Sequence, residues 1–164
     1  VERVIQALER KRYRAEVVRK YETASGSMDF GEQVSWLFQG ANRQVMEILQ
    51  DMATNYAKEI SLNSLAEKYH FSAGYLSRMI KKETGYSFST ILNSIRLTAA
   101  VKFLDQDNAK IHFICDLTGF SDQKYFSQVF KKTFGCSPGE FRRQGKEKQY
   151  YTIKRILEMA EDRQ

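Results

Sequence analysis

The sequence contains few of the residues that interrupt helices or that build covalent and metal sites. Its 164 residues include one proline, two cysteines and two histidines. The near absence of proline, together with few runs of β-branched residues, favours an all-α fold. Two cysteines without neighbouring histidines provide neither a zinc site nor a disulfide framework, so we expect Cys115 and Cys136 to be reduced thiols. No metal or other cofactor is predicted.

Long apolar runs are also missing. No stretch of about 18 apolar residues is present, and the first residues lack the pattern of a signal peptide, so we expect a soluble, cytoplasmic protein without a membrane partner. The chain begins with Val1 rather than methionine, which suggests a piece of a longer protein. A phosphate-binding glycine loop, a His/Cys/Asp/Glu cluster and a paired nucleophile and base are all absent from the sequence, so we predict that the protein is not an enzyme.

The charge balance favours a polyanionic partner. The formal net charge is +6 and the sequence pI is about 9.3. Mild basicity is common among soluble proteins, however, so composition alone leaves nucleic acid and other partners open. With 164 residues the chain can form one ordinary domain plus extensions, and it can bury a core without disulfides.

One stretch, residues 120–143 (FSDQKYFSQVFKKTFGCSPGEFRR), has the features of a short helix between a turn and a helix stop. Its large apolar residues predict one buried stripe, formed by Tyr125, Phe126, Val129 and Phe130. The opposite face carries hydrogen-bond donors and no acidic residue: Gln123, Lys124, Ser127, Gln128, Lys131 and Lys132. Ser121 or Asp122 would cap the start of this helix, and Gly135 suits a left-handed C-cap.

The same pattern occurs twice in the chain. Residues 71–87 (FSAGYLSRMIKKETGYS) align with residues 120–137, with one extra residue in the turn of the second copy. The matching pairs are Leu76 with Phe126, Ile80 with Phe130, Lys81-Lys82 with Lys131-Lys132, and Gly85 with Gly135. A solenoid normally needs about three or more copies. Two copies joined by one long helical pattern therefore predict two linked helix-turn-helix units.

These motifs resemble the AraC/XylS family of bacterial transcription regulators, specifically their DNA-binding domain of two helix-turn-helix units. The resemblance covers about residues 45–143 and is strongest in residues 119–143, a long signature with many fixed positions. It implies an all-α domain at residues 45–145, with the first unit at about residues 61–86, a linker helix at 87–106 and the second unit at 110–135. The resemblance does not cover the remaining residues, whose own patterns predict an N-terminal helical extension at 1–44 and a C-terminal helix at 146–164.

The resemblance also implies that the exposed face of each recognition helix contacts bases. The matching positions are Gly74, Ser77 and Arg78 in the first helix, and Gln123, Lys124, Ser127 and Gln128 in the second. Arginine can donate two parallel hydrogen bonds to guanine, whereas glutamine pairs with adenine, so the two units should prefer different bases. Gly74 has no side chain and Gln128 stands where many members have arginine, which weakens the expected readout at both positions.

A set of basic residues is expected to contact DNA phosphates. Its members are Lys81, Lys82, Lys131, Lys132, Arg142, Arg143 and Arg96. Lys81 and Lys131 recur at the same place in both units, which favours phosphate contact over simple solvation. For Arg96, in the predicted linker helix, a phosphate contact and a structural ion pair are equally good interpretations. Successive major grooves lie about 34 Å apart, so the site should span about two turns.

The residues before the domain leave several alternatives open. Residues 1–22 form an amphipathic pattern with a basic middle, typical of a solvated linker helix, a short dimerisation helix or the end of an upstream sensory or receiver domain. Residues 23–27 predict a flexible joint. Asp29, with Glu32 three residues later, predicts the start of a second helix that ends at Gly40. Trp36 on its flank is expected to pack against its own domain.

The residues after the domain predict a charged joint at 144–149 and a further helix at 150–162. We expect its apolar stripe to pack on the domain itself.

The leading prediction is a sequence-specific transcription regulator that binds double-stranded promoter DNA. By the resemblance it would contact RNA polymerase, and it could form a homodimer through the N-terminal helix or an upstream domain. The alternative is a helical protein-interaction or signalling module whose basic faces are incidental. The repeated donor-rich face without acidic residues favours DNA binding.

Overall fold

The regular structure is helical throughout the residues that the computed structural model describes, which are 28–106, 109–144 and 151–162 together with positions 2, 4–6, 8, 9 and 12. This confirms the predicted all-α class. We number the helices of the three long ranges α1 (Phe30–Leu37), α2 (Arg43–Asn55), α3 (Leu62–Lys68), α4 (Ala73–Thr84), α5 (Phe88–Gln106), α6 (Ile111–Leu117), α7 (Gln123–Phe134), α8 (Pro138–Arg143) and α9 (Ile153–Asp162). None of them combines the length and the apolar composition needed to span a bilayer.

Side-chain caps determine where several helices begin. Asp29 accepts a hydrogen bond from Glu32 N at 2.8 Å, and the Glu32 carboxylate accepts one from Asp29 N at 2.9 Å. This capping box, which satisfies two free N–H groups at once, is the predicted start of α1. Ser61 begins α3 and Ser137 begins α8 with reciprocal pairs of the same kind. These starts are therefore set by local sequence.

The linker helix α5 lies in the centre of the core rather than forming an exposed rod. It contains 19 residues, which corresponds to a length of about 28 Å, and residues 94–101 are all buried. It contacts α2, α4, α6, α8 and α9. The buried hydroxyl of Ser94 donates to Ile91 O and that of Thr98 donates to Ser94 O, both at 2.6 Å. Both helix-turn-helix units consequently share one continuous core.

Arg96 of α5 joins the end of α2 to the second unit. Its Nε donates to Tyr56 O at 2.8 Å, and its Nη2 donates to Lys58 O at 3.0 Å. Its Cζ lies 5.9 Å from the centroid of the Phe120 ring. The residue is 7% exposed, and burial lowers the pKa of its guanidinium. Two of its donor nitrogens are thus engaged by main-chain carbonyls inside the protein. This geometry argues against the predicted phosphate contact of Arg96 and favours a structural role, with carbonyls in place of the acidic partner of an ion pair.

The turn of the second unit packs against the same end of α2. Gly119 has a φ of +87°, and a Cβ built there would overlap Tyr56 O and lie 3.0 Å from Ala57 Cα. Glycine is thus required both by the backbone conformation and by the close approach. The equivalent residue of the first unit is His70, with a φ of +62°. Histidine is among the non-glycine residues that adopt this region more often.

The C-terminal helix α9 packs on the domain, as predicted. Ile153, Ile156 and Leu157 are buried, and α9 contacts α1, α5 and α7. Its first residue donates from Ile153 N to Gln33 Oε1 of α1 at 3.1 Å, in a buried environment. The helices on either side of the helix-turn-helix units therefore belong to the same core.

Helix α1 differs from the sequence prediction at two points. It ends at Leu37 rather than at Gly40, because Phe38 turns into the core, where it is 8% exposed. The expectation for Trp36 is also wrong: its side chain is 57% exposed, and Lys154 Nζ lies 5.7 Å from the centroid of its ring. The amphipathic spacing located the helix correctly but did not determine what its flank contacts.

Parts of four predictions lie outside the described residues: most of the helix at 1–22, the joint at 23–27, positions 145–149 of the charged joint and position 150 of the helix predicted at 150–162. The described positions of the first segment are helical, and their apolar side chains Val4, Ile5 and Leu8 are exposed.

Asp51 connects α2 to α3. Its carboxylate accepts hydrogen bonds from Lys68 Nζ at 2.6 Å, Tyr69 Oη at 2.9 Å and Asn55 Nδ2 at 2.7 Å. Burial acts to raise the pKa of Asp51, but these hydrogen bonds and the charge of Lys68 outweigh it, so the pKa is lowered. Burial and the bond to Asp51 raise the pKa of Tyr69 to about 12.

Replacing Gly119 with alanine should reduce the free energy of unfolding much more than replacing Gly85. Both residues have positive φ, but no atom lies within 4 Å of a Cβ built at Gly85. Gly85→Ala should therefore cost only the left-handed conformation, about 1–2 kcal/mol. Gly119→Ala adds a clash with the main chain of Tyr56 and Ala57 and should cost about 3 kcal/mol or more. Urea unfolding followed by circular dichroism measures both, and equal losses would contradict the close approach.

Replacing Asp51 with asparagine should lower the free energy of unfolding by about 2 kcal/mol at pH 7. Because the folded pKa of Asp51 is depressed, its stabilisation is fully present above the unfolded pKa of about 4 and is lost as pH falls through the folded pKa. The difference between wild type and variant should shrink accordingly in acid. Chemical unfolding from pH 7 to pH 2.5 tests this, with Glu67→Gln as an exposed control on α3. If the difference in unfolding free energy stays constant down to the lowest pH, the ionised carboxylate of Asp51 is not the source of the stabilisation.

Candidate nucleic-acid interface

Each recognition helix is held by one buried stripe. In α4 the stripe consists of Leu76, Met79 and Ile80, and in α7 it consists of Phe126, Phe130 and Thr133. The second stripe continues as an aromatic cluster, since the ring centroid of Phe130 lies 4.4 Å from that of Phe134 and 5.4 Å from that of Phe141. These contacts turn the opposite faces of both helices outward.

The two recognition helices also begin and end alike. Ser72 Oγ accepts from Tyr75 N at 3.2 Å, and Asp122 Oδ1 accepts from Tyr125 N at 2.7 Å. Of the two predicted caps for α7, Asp122 is therefore the one used. Left-handed glycines end both helices, Gly85 with φ +83° and Gly135 with φ +79°, as predicted for Gly135. Both helices contain 12 residues, so matching positions occupy the same turn.

The residues predicted to contact bases lie on the outward faces. Exposed members are Gly74, Arg78, Gln123, Lys124 and Gln128, and half-buried ones are Ser77 and Ser127. A Cβ built at Gly74 would lie 3.4 Å from Nη1 of Arg78, so the arginine side chain lies over the glycine. The missing side chain, which sequence reasoning treated as a loss of readout, leaves room for the neighbouring guanidinium.

Most residues predicted to contact phosphates are exposed as well: Lys81, Lys82, Lys131, Lys132 and Arg143. Lys81 Nζ donates to Gly85 O at 2.9 Å, which holds it at the C-terminal end of its helix. Arg142 differs from this set. It is half-buried, and its Nε and Nη2 are enclosed without an acceptor among the described residues. Arg142 presents less of its guanidinium to a ligand than the sequence suggested.

One acidic residue lies beside this basic surface. The carboxylate of Glu140 accepts from Ser137 N at 2.9 Å as part of the α8 capping box. This hydrogen bond lowers the pKa of Glu140, and the charges of Arg143 and Lys131 lower it further. The local charge next to Lys131 is therefore less positive than the recognition-helix sequence alone indicates.

Two polar residues on this surface were missed by sequence reasoning. Tyr125, which was expected in the buried stripe of α7, is 39% exposed, and its Oη accepts a hydrogen bond from Asn93 Nδ2 of α5 at 3.0 Å. Both line a cleft of about 320 Å³ between α5, α7 and α9. The sequence did contain a signal for this position, because a tyrosine, Tyr75, occurs at the equivalent place in the first unit. Tyr75 is likewise exposed, at 49%.

Other chemistry has little support in the described ranges. There, no group of three or more His, Cys, Asp or Glu side chains is placed to hold a metal ion. Cys115 and Cys136 are free, and burial raises the pKa of the Cys115 thiol to about 11. A thiol with such a pKa is protonated near neutral pH and is a poor nucleophile.

The fold and these two exposed faces define a DNA-binding domain with two helix-turn-helix units. Comparison with known families agrees, since residues 65–144 match the family described as "Helix-turn-helix domain".

The curated relatives are transcription regulators. The activator RhaS of Pectobacterium carotovorum subsp. carotovorum (strain PC1) is 35% identical over 106 residues, which are 64% of this chain and 38% of RhaS. The chain therefore spans well under half of that relative. The multiple antibiotic resistance protein MarA of Salmonella typhimurium is 30% identical over 98 residues, covering 60% of this chain and 77% of MarA.

Solved structures show the same similarity. The C-terminal domain of AraT, a response regulator from Geobacillus stearothermophilus, aligns with a TM-score of 0.61 and 36% identity over 68% of this chain and 93% of that domain. The chain belongs to the AraC/XylS family of transcription regulators. Its matching region is the sequence-specific DNA-binding domain of that family.

Proposed function

We propose that α4 and α7 enter successive major grooves of one promoter site. In this arrangement Gly74, Ser77 and Arg78 face the bases of one groove, and Gln123, Lys124, Ser127 and Gln128 face those of the next. Arg78 is suited to a guanine and Gln128 to an adenine, because their side chains match the donors and acceptors of those bases. Lys81, Lys82, Lys131, Lys132 and Arg143 would contact the flanking phosphates, with Arg142 in a lesser role.

The observation that carries this proposal is the equivalence of two outward faces on one core. Both recognition helices have 12 residues, begin at an equivalent capping residue and end at a left-handed glycine. Both carry an exposed pair of lysines in the last turn, Lys81-Lys82 and Lys131-Lys132. Core packing does not require these exposed lysines. Their recurrence in both helices is explained if the two faces share one binding function.

The activity of the whole protein is a further part of the proposal. We infer a bacterial, cytoplasmic activator that contacts RNA polymerase. The name of RhaS, a transcriptional activator, supports the activator role. We also infer a sensory or receiver domain before this chain, supported by AraT, whose matching part is the C-terminal domain of a response regulator. A homodimer through the N-terminal segment is supported by the exposed side chains of Val4, Ile5 and Leu8.

Selection of bound sequences from a random duplex pool, followed by anisotropy titration, tests the proposal. The selected site should bind more tightly than a scrambled duplex, and affinity should fall steeply as salt rises. Absent or salt-insensitive binding would instead favour the alternative of a helical protein-interaction module.

Replacing Arg78 with alanine should remove the base preference at one position of the selected site. The expected loss is about 1–3 kcal/mol of discrimination there, because the bidentate contact is lost. Titrations against all four base pairs at each position measure this. Arg43→Ala removes an exposed arginine of α2 and serves as the control. A variant that keeps the full wild-type preference would exclude Arg78 from base readout.

Replacing Lys131 with alanine should weaken binding to all sequences by a similar factor. Because one counterion fewer is released, the slope of log affinity against log salt should become shallower by about 0.9. Lys58→Ala, at an exposed lysine after α2, should leave the slope unchanged. If Lys131→Ala also leaves it unchanged, Lys131 does not neutralise a phosphate.

A further inference from the structure

We propose that the hydroxyl of Tyr125 donates a hydrogen bond to a DNA backbone phosphate beside the second recognition helix, and that Asn93 of the linker helix orients it. This inference rests on the proposed function and adds a DNA contact from an uncharged donor.

Tyr125 lies on the flank of α7, next to residues that we propose contact DNA. Tyr125, Gln128 and Lys132 are spaced i, i+3 and i+7 and follow one side of the helix. All three line the cleft of about 320 Å³, together with Thr90 and Asn93 of α5. No acidic side chain lines this cleft. Its polar rim therefore consists of hydroxyl, amide and ammonium groups, which suit an anionic acceptor.

The hydrogen bond from Asn93 determines what the tyrosine can do. Asn93 Nδ2 donates to Tyr125 Oη at 3.0 Å, so the phenol oxygen is the acceptor in this pair. Its own O–H is then left to donate elsewhere. The ring also packs on the buried Phe120, with ring centroids 6.1 Å apart. A phosphate oxygen, which can only accept, is the complementary partner on a DNA duplex.

The flank position favours a phosphate over a base edge. Phe126 and Phe130, both fully buried, define the inner side of α7, and Lys124 and Gln128 project on the opposite side. Tyr125 lies between these two sides and faces α5 rather than the centre of the outward face. When a helix lies in the major groove, residues on its flanks are next to the sugar-phosphate walls.

The first unit offers a matched control. Tyr75 occupies the equivalent position, is 49% exposed and packs on Phe71 with ring centroids 5.4 Å apart. Among the described residues, however, its hydroxyl has no hydrogen-bond partner. The two tyrosines thus differ in the orienting amide, and phenylalanine removes the same oxygen from each.

The test uses the selected duplex and a scrambled duplex of equal length, titrated at several low salt concentrations. Tyr125→Phe should weaken binding about 10- to 100-fold on both duplexes alike, the effect of losing one hydrogen bond from a neutral donor to a charged acceptor. The salt slope should stay unchanged, since no charge is removed, whereas Lys132→Ala should lower it by about 0.9. Tyr75→Phe should have a smaller effect, and thermal melts of each variant verify folding.

A double-mutant cycle tests the role of Asn93. Asn93→Ala should weaken binding by itself and should add little to Tyr125→Phe, because both changes remove the same oriented donor. Unchanged binding by Tyr125→Phe would overturn the proposal. A loss confined to the selected duplex would do so as well, because it would indicate a base contact, and full additivity of the two changes would exclude orientation by Asn93. If wild-type protein shows no salt-dependent specific binding, it is the proposed function that fails.

Discussion

The arrangement of the two helix-turn-helix units depends on how the C-terminal end of α2 is capped. The last carbonyls of an α-helix have no partner within the helix and carry partial negative charge. In this protein the guanidinium of Arg96 donates to the carbonyl of Tyr56, the C-cap residue of α2, and to that of Lys58, two residues beyond the cap. A buried arginine is costly unless its donors are paired. Here buried donors of α5 pair with the carbonyl at the end of α2 and with a carbonyl of the turn that follows it.

The second unit packs against this capped end of α2. Gly119 places the turn of that unit against the main chain of Tyr56 and Ala57, and the Phe120 ring lies beside the Arg96 guanidinium. The end of α2, the middle of α5 and the turn before α7 thus meet at one point. Hydrogen bonds and a close main-chain contact, rather than helix stiffness alone, connect the two units.

Local features of the fold could be predicted from the sequence because their causes are local. The capping box at Asp29, the cap at Ser137 and the left-handed Gly135 each follow from side chains within a few residues. The repeat also predicted both recognition helices, because apolar residues at the same spacing in both copies form the same buried stripe. The candidate contact residues followed from the family signature, and the geometry supports their outward placement for most of them.

The features that sequence reasoning missed arise from contacts distant in the chain. Arg96 is one basic residue in a helical pattern, and nothing near it identifies carbonyls some 40 positions earlier as its partners. Tyr125 falls within the apolar spacing of α7, but Asn93 holds its hydroxyl at the surface. Trp36 could not be placed because the position of α9 relative to α1 depends on tertiary packing. Helical periodicity identifies faces but not the neighbours that cover them.

A shared interior has a consequence for the duplex. Because α5 is buried between both units, the distance between the recognition helices is determined by core packing and not by an adjustable tether. If both recognition helices enter the grooves of one site as proposed, the protein has little freedom to follow the natural helical repeat of its target, and the strain of matching falls on the DNA. Bending a short site costs on the order of 1–6 kcal/mol and depends on how easily its base steps deform. Base pairs between the two grooves, touched by no side chain, would then contribute to target choice through their stiffness.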